Sequence, residues 1–158
     1  MKYILILLIT FSFIHSKTVD VDIQAEFFDS DESKNIVIFK GNVSMVKEGN
    51  TLVCDKIVLK TKIDTKTNKK NIISYVATGN VSFTIKNETT DLIGNGNKIT
   101  YDIEKKLYEV IGNGYLEDRF NNKIIRGENI YMNQNNGHIR VDGSKEKPVQ
   151  FKFTMESK

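Results

Sequence analysis

Few side chains in this sequence can do covalent or metal chemistry. It holds two histidines and one cysteine, so a Ser-His-Asp or Cys-His site would have to be built on His15 or His138. His15 closes an apolar N-terminal run, and His138 follows the polar turn Asn133–Gly137, the setting of a solvated turn residue. Cys54 lies in the aliphatic stretch Leu52–Leu59 with no histidine near it in sequence, which reads as an inert buried thiol rather than a nucleophile. A single cysteine also excludes an internal disulfide and a multi-cysteine zinc site. Carboxylate pairs such as Asp20/Asp22 and Glu117/Asp118 are expected by chance among 20 acids and do not argue for glycoside chemistry. The expectation is a protein that is not an enzyme and that uses neither cofactor nor metal. Asn42-Val43-Ser44, Asn80-Val81-Ser82 and Asn87-Glu88-Thr89 have the form of glycosylation sequons, but the first two are copies of a structural repeat.

A chain of 158 residues suits one domain with one core. Its 23 basic and 20 acidic residues are scattered rather than blocked, a balance that disfavours a dedicated nucleic-acid binder. Behind Lys2, the apolar run Ile4–Ile14 is too short to span a bilayer comfortably and has the length of a signal-peptide core. Residues 1–16 are therefore read as a signal peptide cleaved near Ser16, and residues 17–158 as an exported domain.

An exported domain without disulfides must rely on its core and its hydrogen-bond ladder, and period-two alternation shows which ladder. Val19, Val21, Ile23, Ala25 and Phe27 share one parity, as do Val37, Phe39, Gly41, Val43 and Met45. Ile73, Tyr75, Ala77, Gly79, Val81, Phe83 and Ile85 repeat the pattern, followed by Tyr108 and Val110, Ile139 and Val141, and Val149, Phe151 and Phe153. Such runs are strands with one buried face, and with no sustained helical period after residue 17 the fold class is all-β. The runs are also copies. Gly41-Asn42-Val43 recurs as Gly79-Asn80-Val81 and, loosely, as Gly112-Asn113-Gly114. A second motif, Asp55-Lys56-Ile57, recurs as Asn97-Lys98-Ile99 and Glu128-Asn129-Ile130, each copy leading into a polar turn. The segment Phe27–Asn35 is read as the polar turn before the first Gly-Asn. Repeats at this spacing stack into solenoid-like arrays, and glycine recurring in mid-strand marks a corner. Corners in register fold the stack into a V or U with the apolar parity inside and with open β edges at both ends.

The stretch Val21–Leu59 runs from an opening strand through an acidic turn, an apolar strand and Gly-Asn-Val to a small residue with Asp-Lys before an aliphatic strand. In that order and spacing it resembles the OstA-like family of lipopolysaccharide-transport bridge proteins, and the likeness continues through the later copies. Gly-Asn-Gly in the third copy and Cys54 in place of a small uncharged residue depart from the pattern. The resemblance implies an open, twisted, V-shaped β-jellyroll in the periplasm that shields the lipid A chains of lipopolysaccharide in an apolar groove. It implies an inner-membrane LptC-like domain at the N-terminal edge. At the C-terminal edge it implies an outer-membrane LptD-like N-terminal domain or another copy of the chain. Val21, Ile23, Phe39, Val43, Met45, Ile57, Tyr75, Val81, Phe83, Ile99, Tyr101 and Val110 have the parity to line that groove; alternation alone favours an ordinary sandwich core for them, and it is the resemblance that favours the groove. The lysines of Lys66–Lys70 either attract lipid phosphates or sit in a solvated turn. Two further readings are a membrane-anchored LptC-like component and a secreted β-solenoid that binds polysaccharide or mediates adhesion.

Overall fold

The computed structural model describes residues 19–157, and the signal-peptide assignment lies outside them. Alternation produces ten antiparallel strands in one open sheet: β1 (Val21–Gln24), β2 (Phe27–Asp31), β3 (Ile36–Lys47), β4 (Asn50–Ile63), β5 (Lys70–Lys86), β6 (Asp91–Asp102), β7 (Leu107–Asp118), β8 (Lys123–Asn133), β9 (His138–Asp142) and β10 (Gln150–Phe153). Strands β3 to β8 form a meander in which each long strand pairs with the next. At one edge, β2 pairs with the first half of β3 and β1 with its second half. At the other, β9 pairs with the second half of β8 and β10 with its first half. The sheet is thus two leaves joined along a fold line. Leaf I runs from β2 to β9, and leaf II from β1 to β10.

Gly-Asn makes the fold line. Gly41 and Asn42, Gly79 and Asn80, and Gly112 and Asn113 are consecutive pairs at positive φ, between 43° and 79°, where the left-handed region suits glycine and tolerates asparagine. Each pair sits at a register shift, so β3, β5 and β7 carry one residue more than their partners at the bend. The second motif completes the same corner. The Asn80 amide donates to Asp55 Oδ2 at 3.1 Å, and Asn113 donates to Asn97 Oδ1 at 3.4 Å. Asn42 donates to the Glu26 carboxylate, which makes Ala25-Glu26 a further copy of the small-acidic step. The series ends at Lys147, whose Nζ donates to Asn113 Oδ1 at 2.7 Å and lies 4.0 Å from Glu128.

The bulge also controls which residues face inward. On β3 the inward series passes through the bend without changing parity, from Val37 and Phe39 to Val43 and Met45. On β4, which has no extra residue there, parity switches: Leu52 and Cys54 face inward before the bend, and Ile57, Leu59 and Thr61 after it. Strand β8 does the same, with Ile125 before and Ile130 after.

That rule corrects the reading of the N-terminal segment as one strand from Val19 to Phe27. The chain bends at Ala25-Glu26 and parity switches, so Phe28 rather than Phe27 opposes the inward Phe39, with ring centroids 5.2 Å apart. Phe27 faces outward beneath Lys40, whose Nζ is 5.5 Å from its ring centre. Phe27–Asp31, expected as a turn, is strand β2, and the turn is confined to residues 32–35. Val149 precedes β10 instead of opening it. A second bulge, where Lys60 and Thr61 oppose Ser74 and Ile72, turns Ile72 rather than Ile73 toward the core.

Candidate functional site

The inner faces of the leaves form a trough built in rows. Nearest the fold line on leaf I, Phe28, Phe39, Ile57, Ala77, Ile99, Val110, Ile130 and Val141 oppose one another in register across eight strands. Across the fold line, Gly96, Gly114 and Gly127 of leaf II lie against the side chains of Val110, Ile130 and Val141, so the two leaves meet there without intervening side chains. Ile57, Ile99, Val110 and Ile130, with Val43 and Val81 of leaf II, are fully buried. These side chains hold the leaves together, and burying each contributes on the order of 1.5–3 kcal/mol.

Farther from the fold line the leaf I row is half-buried apart from Leu59, whereas the leaf II row stays buried from Leu52 to Ile125 and is exposed only toward its ends. On leaf I, Val37, Leu59, Tyr75, Tyr101, Tyr108 and Met132 follow in register toward Ile139. On leaf II the matching row is Ile23, Met45, Leu52, Phe83, Gly94, Leu116, Ile125 and Phe151. A cleft of about 480 Å³ lies between the leaves toward the C-terminal end, lined by Leu92, Leu116 and Ile125 of leaf II and Met132, Ile139 and Val141 of leaf I. The aromatic members are packed edge and face: Tyr75 and Tyr101 centroids are 5.5 Å apart, and Tyr101 and Tyr108 stack at 3.8 Å. Burial pushes the phenols of Tyr75 and Tyr108 up, so both stay neutral. Among the described residues nothing covers either end of the trough, with Phe28 60% exposed at one end and Phe151 55% exposed at the other.

Among the described residues, which exclude His15, the chemistry-bearing side chains do not converge. Cys54 is buried in the core, where desolvation pushes its thiol up to about 11. His138 opens β9 on the surface, its N–H donating to Asn136 Oδ1 at 3.0 Å. Among the described residues no three of His, Cys, Asp and Glu come together to hold a metal ion.

Residues 22–138 match the sequence model of the family described as LptA/(LptD N-terminal domain) LPS transport protein. The chain belongs to that family. It is a lipopolysaccharide-transport protein with the β-jellyroll fold that the sequence resemblance implies. Among solved structures it is similar to LptH, described as the LptA homologous periplasmic component of the lipopolysaccharide transport device of Pseudomonas aeruginosa. That likeness has a TM-score of 0.71 at 14% identity and covers 86% of this chain and 96% of that one, so it speaks for the fold. No curated protein matches the chain in sequence.

The twelve residues read as groove-lining divide by depth. Val43, Ile57, Val81, Ile99 and Val110 occupy the closed base. Ile23, Phe39, Met45 and Tyr75 are partly exposed and pack on that base, and Phe83, 7% exposed, is buried in the leaf II row with Leu52 and Leu116. Tyr101 stands with Tyr75 in the leaf I row, and Val21 is exposed on the outermost strand of leaf II. Sequence reading missed Leu52, Leu92, Leu116, Ile125 and Met132. On β4, β6 and β8 the alternation breaks at the corner, and a single parity followed along the strand loses half of the inward set, whereas Leu116 on β7 continues the parity of Tyr108 and Val110 beyond the corner.

Proposed function

We propose that this chain is a periplasmic carrier that shields the acyl chains of lipopolysaccharide in its trough and passes them between membranes by joining end to end with like domains. The observation that carries the reading is an apolar inner face continuous across eight strands and, among the described residues, uncovered at both ends. Exposing one acyl chain of about a dozen carbons to water costs on the order of 10 kcal/mol at about 0.8 kcal/mol per methylene. A lipid with several chains therefore needs continuous cover along its path. Met45, Tyr75, Phe83 and Tyr101, with Leu92, Ile125 and Met132 and the partly exposed Phe39 of the deep row, would touch lipid, while the fully buried members of that row set the floor. Each edge of the sheet consists of two short strands, one per leaf, so a partner adding strands there extends the ladder and the trough together. The N-terminal edge, β1 with β2, would receive an inner-membrane LptC-like domain. The C-terminal edge, β9 with β10, would receive an LptD-like N-terminal domain or another copy of the chain. A passive carrier needs no nucleophile or base, so this reading assigns no catalytic role to Cys54 or His138. The test is transfer of lipopolysaccharide between two vesicle populations bearing the partner domains: addition of the chain should accelerate transfer, and a rate equal to that without it would contradict the proposal.

A further inference from the structure

The lysines of residues 66–70 are used neither by the trough nor by the sheet edges. In the fold they crown a hairpin that stands out from leaf I. Strand β3 begins opposite Lys60 and β6 ends opposite Ser74, whereas β4 and β5 continue pairing as far as Ile63 opposite Lys70. Asp64 stiffens the turn, its Oδ1 accepting from the N–H groups of Lys66 at 2.8 Å and Thr67 at 3.3 Å.

The inward face of this hairpin changes character along its length. Ile57 and Leu59 are buried, Thr61 is 8% exposed and Ile63 is 50% exposed. Lys70 lies directly opposite Ile63, and Lys66 and Lys69 follow at the turn. Six residues at about 3.3 Å each place Ile63 roughly 20 Å from the floor of the trough. The profile is that of an amphiphile, apolar below and cationic at the mouth. Residues 60–70 carry five lysines against one aspartate. Lys62 reaches Glu104 at 3.9 Å and Lys70 reaches Glu32 at 3.7 Å, both long and solvated, while Lys66 and Lys69 make no ion pair among the described residues. On the opposite lip the charges are of both signs, with Lys86 3.9 Å from Asp91 and Arg119 3.3 Å from Glu117.

We propose that the β4–β5 turn is an anion subsite at the mouth of the trough, where Lys66, Lys69 and Lys70 hold a phosphate of the lipid headgroup while the chains lie on the apolar face beneath. The inference rests on the lipid-carrier reading and adds to it the lip at which the headgroup sits. Lysine suits a headgroup in transit, being a mobile point charge rather than a rigid bidentate fork.

The test compares binding of bisphosphorylated lipid A, and of the same lipid with its phosphates removed, to the full chain and to K66Q/K69Q/K70Q. The unmodified chain should prefer the phosphorylated lipid by about tenfold, the scale of three partly screened ionic contacts. The triple variant should lose most of that preference while binding the dephosphorylated lipid unchanged. A control, K86Q/K145Q/K152Q, removes the same charge elsewhere and should keep the preference. Preference retained in the first variant, or lost equally in the control, would overturn the subsite. Inorganic phosphate should displace neither lipid, and displacement would assign the turn to a soluble anion instead. Failure of the unmodified chain to bind either lipid would remove the carrier reading itself, an outcome distinct from failure of the turn alone.

Discussion

Gly79 and Gly49 share almost the same φ, 78° and 80°, yet do different work. A Cβ on Gly79 would run into the Asp55 carboxylate that fixes the corner, whereas one on Gly49 would meet nothing within 4 Å. Gly79→Ala should therefore destabilise by about 3 kcal/mol or more, strain and collision together, and Gly49→Ala by about 1–2 kcal/mol from the left-handed backbone alone. Thermal unfolding of the two variants checks the order, and equal losses would show that the corner is not specially packed. Cys54 makes a second residue-scale prediction. Its thiol, raised to about 11, stays protonated in the native state where the unfolded chain has already released its proton. The stability this contributes is intact below the ordinary thiol range and is lost as pH rises through about 11. A thiol reagent at pH 8 should leave the folded protein unmodified and label it fully in denaturant. Cys54→Ala should lower stability by roughly 1 kcal/mol without changing lipid binding.

At the scale of the element, the all-β class, the polar turns and the repeated corners were legible because period-two alternation survives on β3, β5 and β7. It survives there because the positive-φ Gly-Asn bulge adds one residue where the strand bends, restoring the inward parity on the far leaf. Strands β4, β6 and β8 bend without that residue, so Leu52 and Ile57 face the same way despite opposite parity. The same switch at Ala25-Glu26 displaced Phe27 in favour of Phe28. Local pattern carries no sign of this, because it depends on a neighbour's bulge. The Asn80–Asp55 contact shows why the second motif accompanies the first: they are two halves of one corner, separated by a hairpin in sequence and adjacent in space. The edge strands carry a prediction of their own. In β10, Phe151 and Phe153 are about half exposed and held only by four residue pairs to β8. Deleting residues 149–158, or placing proline at Gln150 and Lys152, should leave a folded protein that binds lipid but no longer assembles at high concentration. Light scattering that still shows concentration-dependent growth would refute use of that edge.

Taken whole, the molecule is a trough with a closed floor, an open mouth and two uncovered ends, and its parts serve distinct purposes. The deep row keeps the leaves joined, the outer rows offer adaptable apolar contact, and the edges allow continuation into neighbouring domains. Five of the twelve candidate residues legible in the sequence form the floor, where fully buried β-branched side chains give the cleanest alternation. The contact rows on β6 and β8 were hidden by the parity switch. The direct test of the carrier account is site-specific photo-crosslinking to lipopolysaccharide at neighbouring positions of opposite facing. Crosslinkers at Tyr75, Ile125 and Met132 should capture the lipid, and crosslinkers at the outward neighbours Ser74, Ile124 and Tyr131 should not. Equal capture on both faces, or capture on neither, would contradict a trough that carries lipid.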